Sequence, residues 1–556
     1  MNERRVVLAT LNAKYIHKNL ALRWLIVCAP QEFDVTIIEG VIRDDPLKTA
    51  RRIAEKEPEI IGLSVYIFNA EETKKLIWHL KELMPNVRII LGGPEVTYNS
   101  EPWLDLGVEA IVCGEGELVF WDYLTGKDSQ SIATKQKQAT TIAQVQLEKL
   151  ELFESPYFLE IDQADMDKRY LYMETSRGCP YNCAYCLSSI EKGVRFFSDD
   201  YLQATFARLS DSGVRQVKFL DRTFNVNPVN AMRIAETLVK LPSSISFHVE
   251  LVGDTLSDEL IDFFTSPYSS RFRVEIGVQS FNRQTLLEVG RFSKIQKVKD
   301  VISQFESAGV HQHTDLIAGL PFEDLNSFKQ SFNTLFALHP YEIQVGILKL
   351  LYGTRLRNDS KAYGYTYLDE APYTVQSSNW MSESDIKSVE IVAQAVEKTY
   401  NSQKIRETLG IWVAQYNLNA YDLLHTIGLG IAMLPRPYSQ KDFFAGMLKC
   451  CENLVPTASA RLKFDYYRLS SLYPQPFWDE QTLDETQMIL RKAVQKKLNA
   501  AKQKFQHLRI IERADGLPGY DVWLYPSLGK SHTRIQLGEN LETESEIVYE
   551  TVDRHA

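Results

Sequence analysis

The chain has 556 residues, 44% of them hydrophobic and 24% charged, with a formal net charge of −10. That length exceeds a single hydrophobic core and predicts about three or four domains, in a composition typical of soluble globular proteins. The negative charge counts against nucleic acid as a partner, and no run reaches the roughly 18 apolar residues of a membrane span.

The start, "MNERRVVLAT", reads as a first strand rather than a signal-peptide core. Over residues 1–125 short Val/Ile-rich strands alternate with amphipathic helices. The strands are "RVVLAT", "FDVTIIEG", "EIIGLSVY", "VRIILGGP" and "VEAIVCGEGE". This pattern predicts a parallel sheet with helices on both faces, and a ligand site at the carboxyl ends of the strands. Gly92, Gly93, Gly114 and Gly116 stand at those ends, where glycine lets the backbone approach a ligand. Neither a dinucleotide fingerprint nor a P-loop follows the first strand.

Residues 126–165 are polar and read as a linker. From 166 to 365 six further strands, "RYLYMETS", "RQVKFLD", "SISFHVEL", "RVEIGVQS", "HQHTDLIAGLP" and "YEIQVGILKL", each precede helix-like sequence. Six β/α units predict a partial, open barrel, whose active site lies at the strands' carboxyl ends. Residues 375–556 are mostly helical, with a few strands near the end. A basic stretch over 490–505 reads as a solvated face, and the acidic last residues as a fraying tail.

The seven cysteines are odd in number, sparse and clustered, unlike a secreted disulfide framework, which predicts a reducing cytoplasm. Cys179, Cys183 and Cys186 fall within eight residues, in "RGCPYNCAYCLSS", just after the first barrel strand. A structural zinc site closes with four ligands, and the nearest other cysteine or histidine is over 60 positions away. A [4Fe–4S] cluster held by three thiolates leaves one iron open to a small chelating ligand. Cys28 and Cys113 read as packing residues, and the adjacent Cys450 and Cys451 as poorly placed to share a metal.

This Cys-x3-Cys-x2-Cys loop, with Tyr185 before its last cysteine, resembles the radical S-adenosylmethionine (SAM) enzymes over about residues 168–360. The resemblance implies that the open iron binds SAM and that one electron from the cluster yields a 5′-deoxyadenosyl radical. It also implies a reducing partner such as flavodoxin or ferredoxin. Glu250 in "FHVEL", Gln279 in "GVQSFN", Arg291 in "VGRFS" and Asp315 in "HTDLIAGLP" resemble the family's SAM contacts. The usual second-strand "GGE" is absent; "FLDRTFN" stands there and offers Asp221. Glu275 reads either as pointing into the barrel or as pairing with Arg271 or Arg273.

A Rossmann-like domain before such a barrel resembles the family's cobalamin-binding class. "LNAKYIHKNLALRWL" and "RLKFDYYRLSS" resemble a bacterial subgroup with a C-terminal domain of unknown function, similar to DUF4080. The implied corrinoid contacts are Asn12, Ser64, Tyr66, Gly92, Gly93, Glu95, Gly114, Glu115, Gly116 and Glu117. No Asp-x-His-x-x-Gly run is present, and His17 reads as a surface or capping residue. Cobalamin is therefore expected to bind without a protein histidine on cobalt.

The function implied is a cobalamin-dependent radical SAM methyltransferase acting on an unknown small-molecule or peptide substrate. Radical rearrangement or ring chemistry with the same cofactors stands beside it, as does a non-catalytic corrinoid sensor or carrier. A tRNA methylthiotransferase would need further cluster cysteines and an RNA-binding module, and neither is evident. Trp412, Tyr466 and Tyr467 read as core residues before pocket residues.

Overall fold

A computed structural model of the protein describes residues 4–190, 193–470, 475–478, 485–500, 507–514, 520–525 and 533–537. The acidic tail and residues 501–505 of the basic stretch lie outside them. The chain divides into two compact units: Met1–Ser331 with Gly346–Ile386, and Phe332–Val345 with Lys387–Ala556.

The first unit opens with β1 (Arg4–Asn12), β2 (Phe33–Val41), β3 (Ile60–Ser64), β4 (Arg88–Gly92) and β5 (Ala110–Val112), with the antiparallel β6 (Ile132–Ala133) at the edge. The order is β2-β1-β3-β4-β5-β6, and the first five strands are parallel. This is the flavodoxin-like order, whose ligand crevice opens at the switch between β1 and β3. Every residue of β3 is buried, and so are Ile89–Leu91 of β4, as expected of strands covered on both faces.

Residues 126–165 differ from the expected linker. They add β6, seat Leu147, Leu150 and Tyr157 in the core, and form a 3-10 helix over Glu160–Asp165. Asp162 of that helix is 3% exposed. It takes hydrogen bonds from Arg23 Nε and Nη2, both at 2.7 Å, and an ion pair from Lys18 at 3.4 Å. Glu39 accepts from the other edge of Arg23 at 3.1 and 3.2 Å. Burial alone would raise the Glu39 pKa, but Arg23 and Arg169 pull it down to about 2.

The second sheet begins with β7 (Leu171–Met173). The cysteine loop sits within a separate antiparallel hairpin of β8 (Ser176–Cys179) and β9 (Gly193–Phe196). Then come β10 (Gln216–Phe219), β11 (Ser246–Leu251), β12 (Phe272–Gln279), β13 (His311–Ala318) and β14 (Glu342–Ile347), in the sheet order β14-β13-β12-β11-β10-β7. From β7 to β13 every pairing is parallel. Alternation sends Val217, Phe247, Val249, Val274 and Ile276 to the helices, while His248, Glu250, Glu275 and His313 share the half-buried inner face.

Glu323 lies at the end of this barrel, 0% exposed, and accepts hydrogen bonds from Ser280 Oγ at 2.6 Å and Ser331 Oγ at 3.1 Å. Burial, opposed in part by those bonds, pushes its pKa from 4.5 up to about 7. The folded state therefore keeps a proton that the unfolded chain releases above pH 4.5. That contribution is complete below pH 4.5 and is lost as pH rises through 7, in total about 3 kcal/mol. Glu323→Gln is expected to raise the thermal midpoint relative to wild type at pH 8 and to leave it near wild type at pH 4.5. An equal offset at both pH values in calorimetry would rule this out.

The second unit contains helices at Arg406–Gln415, Ala420–Ala432, Gln440–Cys451 and Ala458–Leu469, followed by Glu485–Ala500. A three-stranded antiparallel sheet of His507–Glu512, Tyr520–Tyr525 and Thr533–Leu537 completes it. Trp412, Tyr466 and Tyr467 are buried in its core, as the packing reading expected.

Candidate active site

A cavity of about 600 Å³ opens between the carboxyl ends of the first sheet and the hairpin that carries the cysteine loop, all within the first unit. One wall contains Asn12, Ser64, Tyr66, Gly92, Gly93, Gly114, Glu115, Gly116 and Glu117; the other contains Tyr172, Glu174, Arg177, Gly178, Leu187 and Arg222. Two of the glycines are required by close backbone approach. A Cβ on Gly93, at φ 109°, would stand 2.4 Å from the Val65 carbonyl oxygen, and one on Gly114, at φ 99°, 2.5 Å from that of Ala143.

The hydroxyls expected to face a corrinoid are engaged within the protein. Asn19 Nδ2 donates to Ser64 Oγ at 2.9 Å and to Tyr66 Oη at 3.3 Å. The Asn12 amide donates to the His17 carbonyl at 3.0 Å and to Glu39 at 3.1 Å. Asn12 and Ser64 thus spend their donors within the wall, whereas the Tyr66 hydroxyl accepts from Asn19 and keeps its own O–H for the cavity. Glu95 is not in the lining: its carboxylate accepts from the Tyr373 hydroxyl, and burial raises its pKa. The expected corrinoid contact at Glu95 is thus corrected to a packing tie.

His17 is the converse correction. It lines the cavity, half-buried, with Nδ1 2.6 Å from the Tyr172 hydroxyl. Its position in the loop between β1 and the following helix, beside the switch point, was the signal that could have found it.

Cys179, Cys183 and Cys186 are all free thiols on one loop. Among the described residues no three His, Cys, Asp or Glu side chains converge on a single-ion site. The remaining cysteines fit packing roles. Burial pushes Cys28 up to about 12, Cys113 to about 11 and Cys451 to about 12, far from thiolate character at neutral pH.

The cysteine loop is held against the segment after β12. Ala184 N donates to Val289 O at 2.9 Å, and a Cβ on Gly290 would stand 2.7 Å from Asn182 O. Arg291 follows at once. It is half-buried beside Cys183 and Tyr185, and its Nη2 donates to the Gly277 carbonyl. Gln279 ends β12 at φ 70°, with a buried Oε1 that has no hydrogen-bond partner. On the inner face, burial together with Glu275 and Asp315 raises Glu250 to about 7. Asp315 Oδ1 lies 3.2 Å from His313 Nε2, and Glu275 pairs with His248 at 3.3 Å rather than with an arginine.

Of the five residues expected at SAM, Glu250, Gln279 and Asp315 lie on β11, β12 and β13, and Arg291 lies in the segment after β12 that meets the cysteine loop. Asp221 does not face a ligand. It is 1% exposed, and its oxygens accept from Thr175 N at 3.0 Å, Thr175 Oγ1 at 2.5 Å and Ser176 Oγ at 2.7 Å. Asp221 anchors the root of the hairpin. The polar residue of that loop left open on the cavity wall is Arg222.

A dense ionic group joins the two walls. Arg177 Nη1 lies 2.7 Å from Glu117, and its Nη2 lies 2.9 Å from Glu174. Arg195 pairs with Glu115, whose Oε2 also accepts from Val145 N at 2.6 Å. Burial raises the Glu115 pKa, but the Arg195 hydrogen bond and the Arg177 charge outweigh it and hold the carboxyl low.

Comparison with known proteins matches residues 6–123 to the B12 binding domain, 173–335 to the radical SAM superfamily and 361–515 to a protein family of unknown function, DUF4080. An uncharacterized methyltransferase of Pyrococcus horikoshii is 26% identical over 55% of this chain and 70% of its own length. The cobalamin-dependent radical SAM methyltransferase TokK of Streptomyces tokunonensis is 25% identical over 52% of this chain and 47% of its own length, so the chain spans about half of that relative. The cobalamin-dependent SAM radical enzyme OxsB shares the fold, with a TM-score of 0.58 at 15% identity over 90% of this chain and 81% of its own. The cofactors of this architecture are cobalamin, SAM and a [4Fe–4S] cluster. The chain belongs to the radical SAM superfamily, in the subgroup that places a B12-binding domain before the barrel and a DUF4080 domain after it.

Proposed function

We propose that the chain is a cobalamin-dependent methyltransferase that methylates an unactivated carbon of a small-molecule or peptide substrate, with flavodoxin or ferredoxin as electron donor. The observation that carries this reading is the single cavity walled by the first sheet on one side and the cysteine hairpin on the other. The names of the relatives, both methyltransferases, support methyl transfer.

When bound, the cluster with SAM supplies a radical able to take hydrogen from carbon, and cobalamin supplies a methyl group. The rest of the work falls to side chains. Cys179, Cys183 and Cys186 would hold three irons of the cluster and leave the fourth open to SAM. Arg291, fixed by Gly277, has its guanidinium beside Cys183, where it would pair with the carboxylate of SAM. Gln279 has a buried Oε1 without a hydrogen-bond partner, and Asp315 holds its Oδ1 3.2 Å from His313; both would offer oxygens to ribose hydroxyls or the amino group. Glu250, whose pKa burial and the charges of Glu275 and Asp315 raise to about 7, would hold a proton on the inner face more readily than an exposed carboxyl. Leu20, Phe120, Leu187 and Leu220 on the cavity wall keep water from the reacting groups.

The test is anaerobic incubation of the reconstituted protein with SAM, reductant and hydroxocobalamin, quantifying 5′-deoxyadenosine and S-adenosylhomocysteine. Formation of both products is the expected result. Deoxyadenosine without S-adenosylhomocysteine would turn the reading towards rearrangement or ring chemistry. Neither product, from protein loaded with cluster and corrinoid, would leave a carrier or sensor.

A further inference from the structure

We infer that Arg177 and Arg195 form a clamp that couples cobalamin binding to the position of the cluster loop. The inference rests on the cofactor assignment above and concerns how the two sites communicate.

The hairpin that carries the cysteine loop is a sheet of two strands, four residues each, paired with no other strand. Such a hairpin is marginal on its own and takes its position from its anchors. One anchor lies at its root, where Asp221 binds Thr175 and Ser176. Another lies at the loop, where Ala184 meets Val289. The third is ionic and reaches the opposite wall of the cavity.

Arg177 and Arg195 stand directly opposite each other across β8 and β9, two register steps from the Cys179–Gly193 end of the hairpin. Like charges in that arrangement repel and destabilise the pairing. Glu115 removes the conflict. Its Oε2 lies 3.6 Å from Arg177 Nη1 and 2.9 Å from Arg195 Nη1, and Glu117 adds a 2.7 Å contact to Arg177. Both carboxylates belong to the loop after β5, and Gly114, Glu115, Gly116 and Glu117 all line the cavity. From the hairpin side, Arg177, Gly178, Leu187 and Ser188 line it too. A corrinoid seated there touches both halves of the clamp, and so fixes the loop that holds the thiolates. A cluster on the thiolates fixes the same clamp from the other side. Linkage is reciprocal, so each cofactor tightens the other by one factor.

Arg195 is the position to vary, because its side chain is 28% exposed whereas that of Arg177 is 9% exposed. Hydroxocobalamin is titrated by absorbance into the full chain with and without reconstituted cluster. The wild type is expected to bind it at least about fivefold more tightly with the cluster present. In Arg195→Gln that ratio should fall to about one. Arg195→Lys, which keeps the charge but not the fork, should retain part of it. Glu115→Gln, which leaves the two arginines facing each other, should also lose it and serves as the second variant. Equal affinity of the wild type in both forms overturns the inference, as does an unchanged ratio in both Arg195→Gln and Glu115→Gln. Absence of cobalamin binding in either form of the wild type would instead sink the cofactor assignment itself.

Discussion

Replacing any one of Cys179, Cys183 and Cys186 with alanine is expected to bring iron and acid-labile sulfide per chain to background, and SAM cleavage with them. Three thiolates are the minimum for the cluster, and the described residues offer no substitute ligand at the loop. Cys450→Ala is the matched control: its thiol lies in another unit, and burial raises its pKa, so iron content should be unchanged. Single variants that keep full iron content and cleavage would show that the loop does not hold the cluster.

The second large effect is expected far from the chemistry. Arg23 and Asp162 have side chains 4% exposed each, joined by two hydrogen bonds. Breaking a buried pair from one side leaves the other charge desolvated and alone, at about 3–5 kcal/mol. Asp162→Ala would strand Arg23 with Glu39, and Lys18 with Asp165, its remaining partner at 2.8 Å. Denaturant unfolding of the full chain should show the first unit losing that amount. A loss below about 1 kcal/mol would mean that Glu39 and Asp165 alone compensate the cations. The helix from Leu20 and the His17 loop before it sit on this network, so cobalamin uptake should weaken as well.

Much of the fold was legible because its strands and helices have clear periods. Every strand expected in the two sheets is present, and the order β2-β1-β3-β4-β5 places the ligand crevice where alternation alone put it. The cysteine loop was legible for a chemical reason: three thiols so close have few other uses. What remained hidden follows from residues whose type does not reveal their partner. Glu95 and Asp221 stand at strand ends like ligand contacts, yet tyrosine, threonine and serine hydroxyls occupy them. Residues 126–165 are polar in composition, and a few apolar side chains such as Leu147 and Tyr157 order them. Glu115 and Glu117 line the cavity, but the arginines they hold lie 60 and more positions downstream, beyond any local pattern.

The distance between Arg23 and Asp162 also bears on how the chain is made. They lie 139 positions apart. At about 5–20 residues per second, the ribosome takes roughly 7 to 30 s to cover that interval. Throughout it the loop after β1 and the helix that follows carry two cations, Lys18 and Arg23, whose acidic partner in the 3-10 helix does not yet exist. Long-range contacts of this kind slow folding. Part of the network that stabilises the first sheet is therefore completed only after the segment that leads into the barrel has been made.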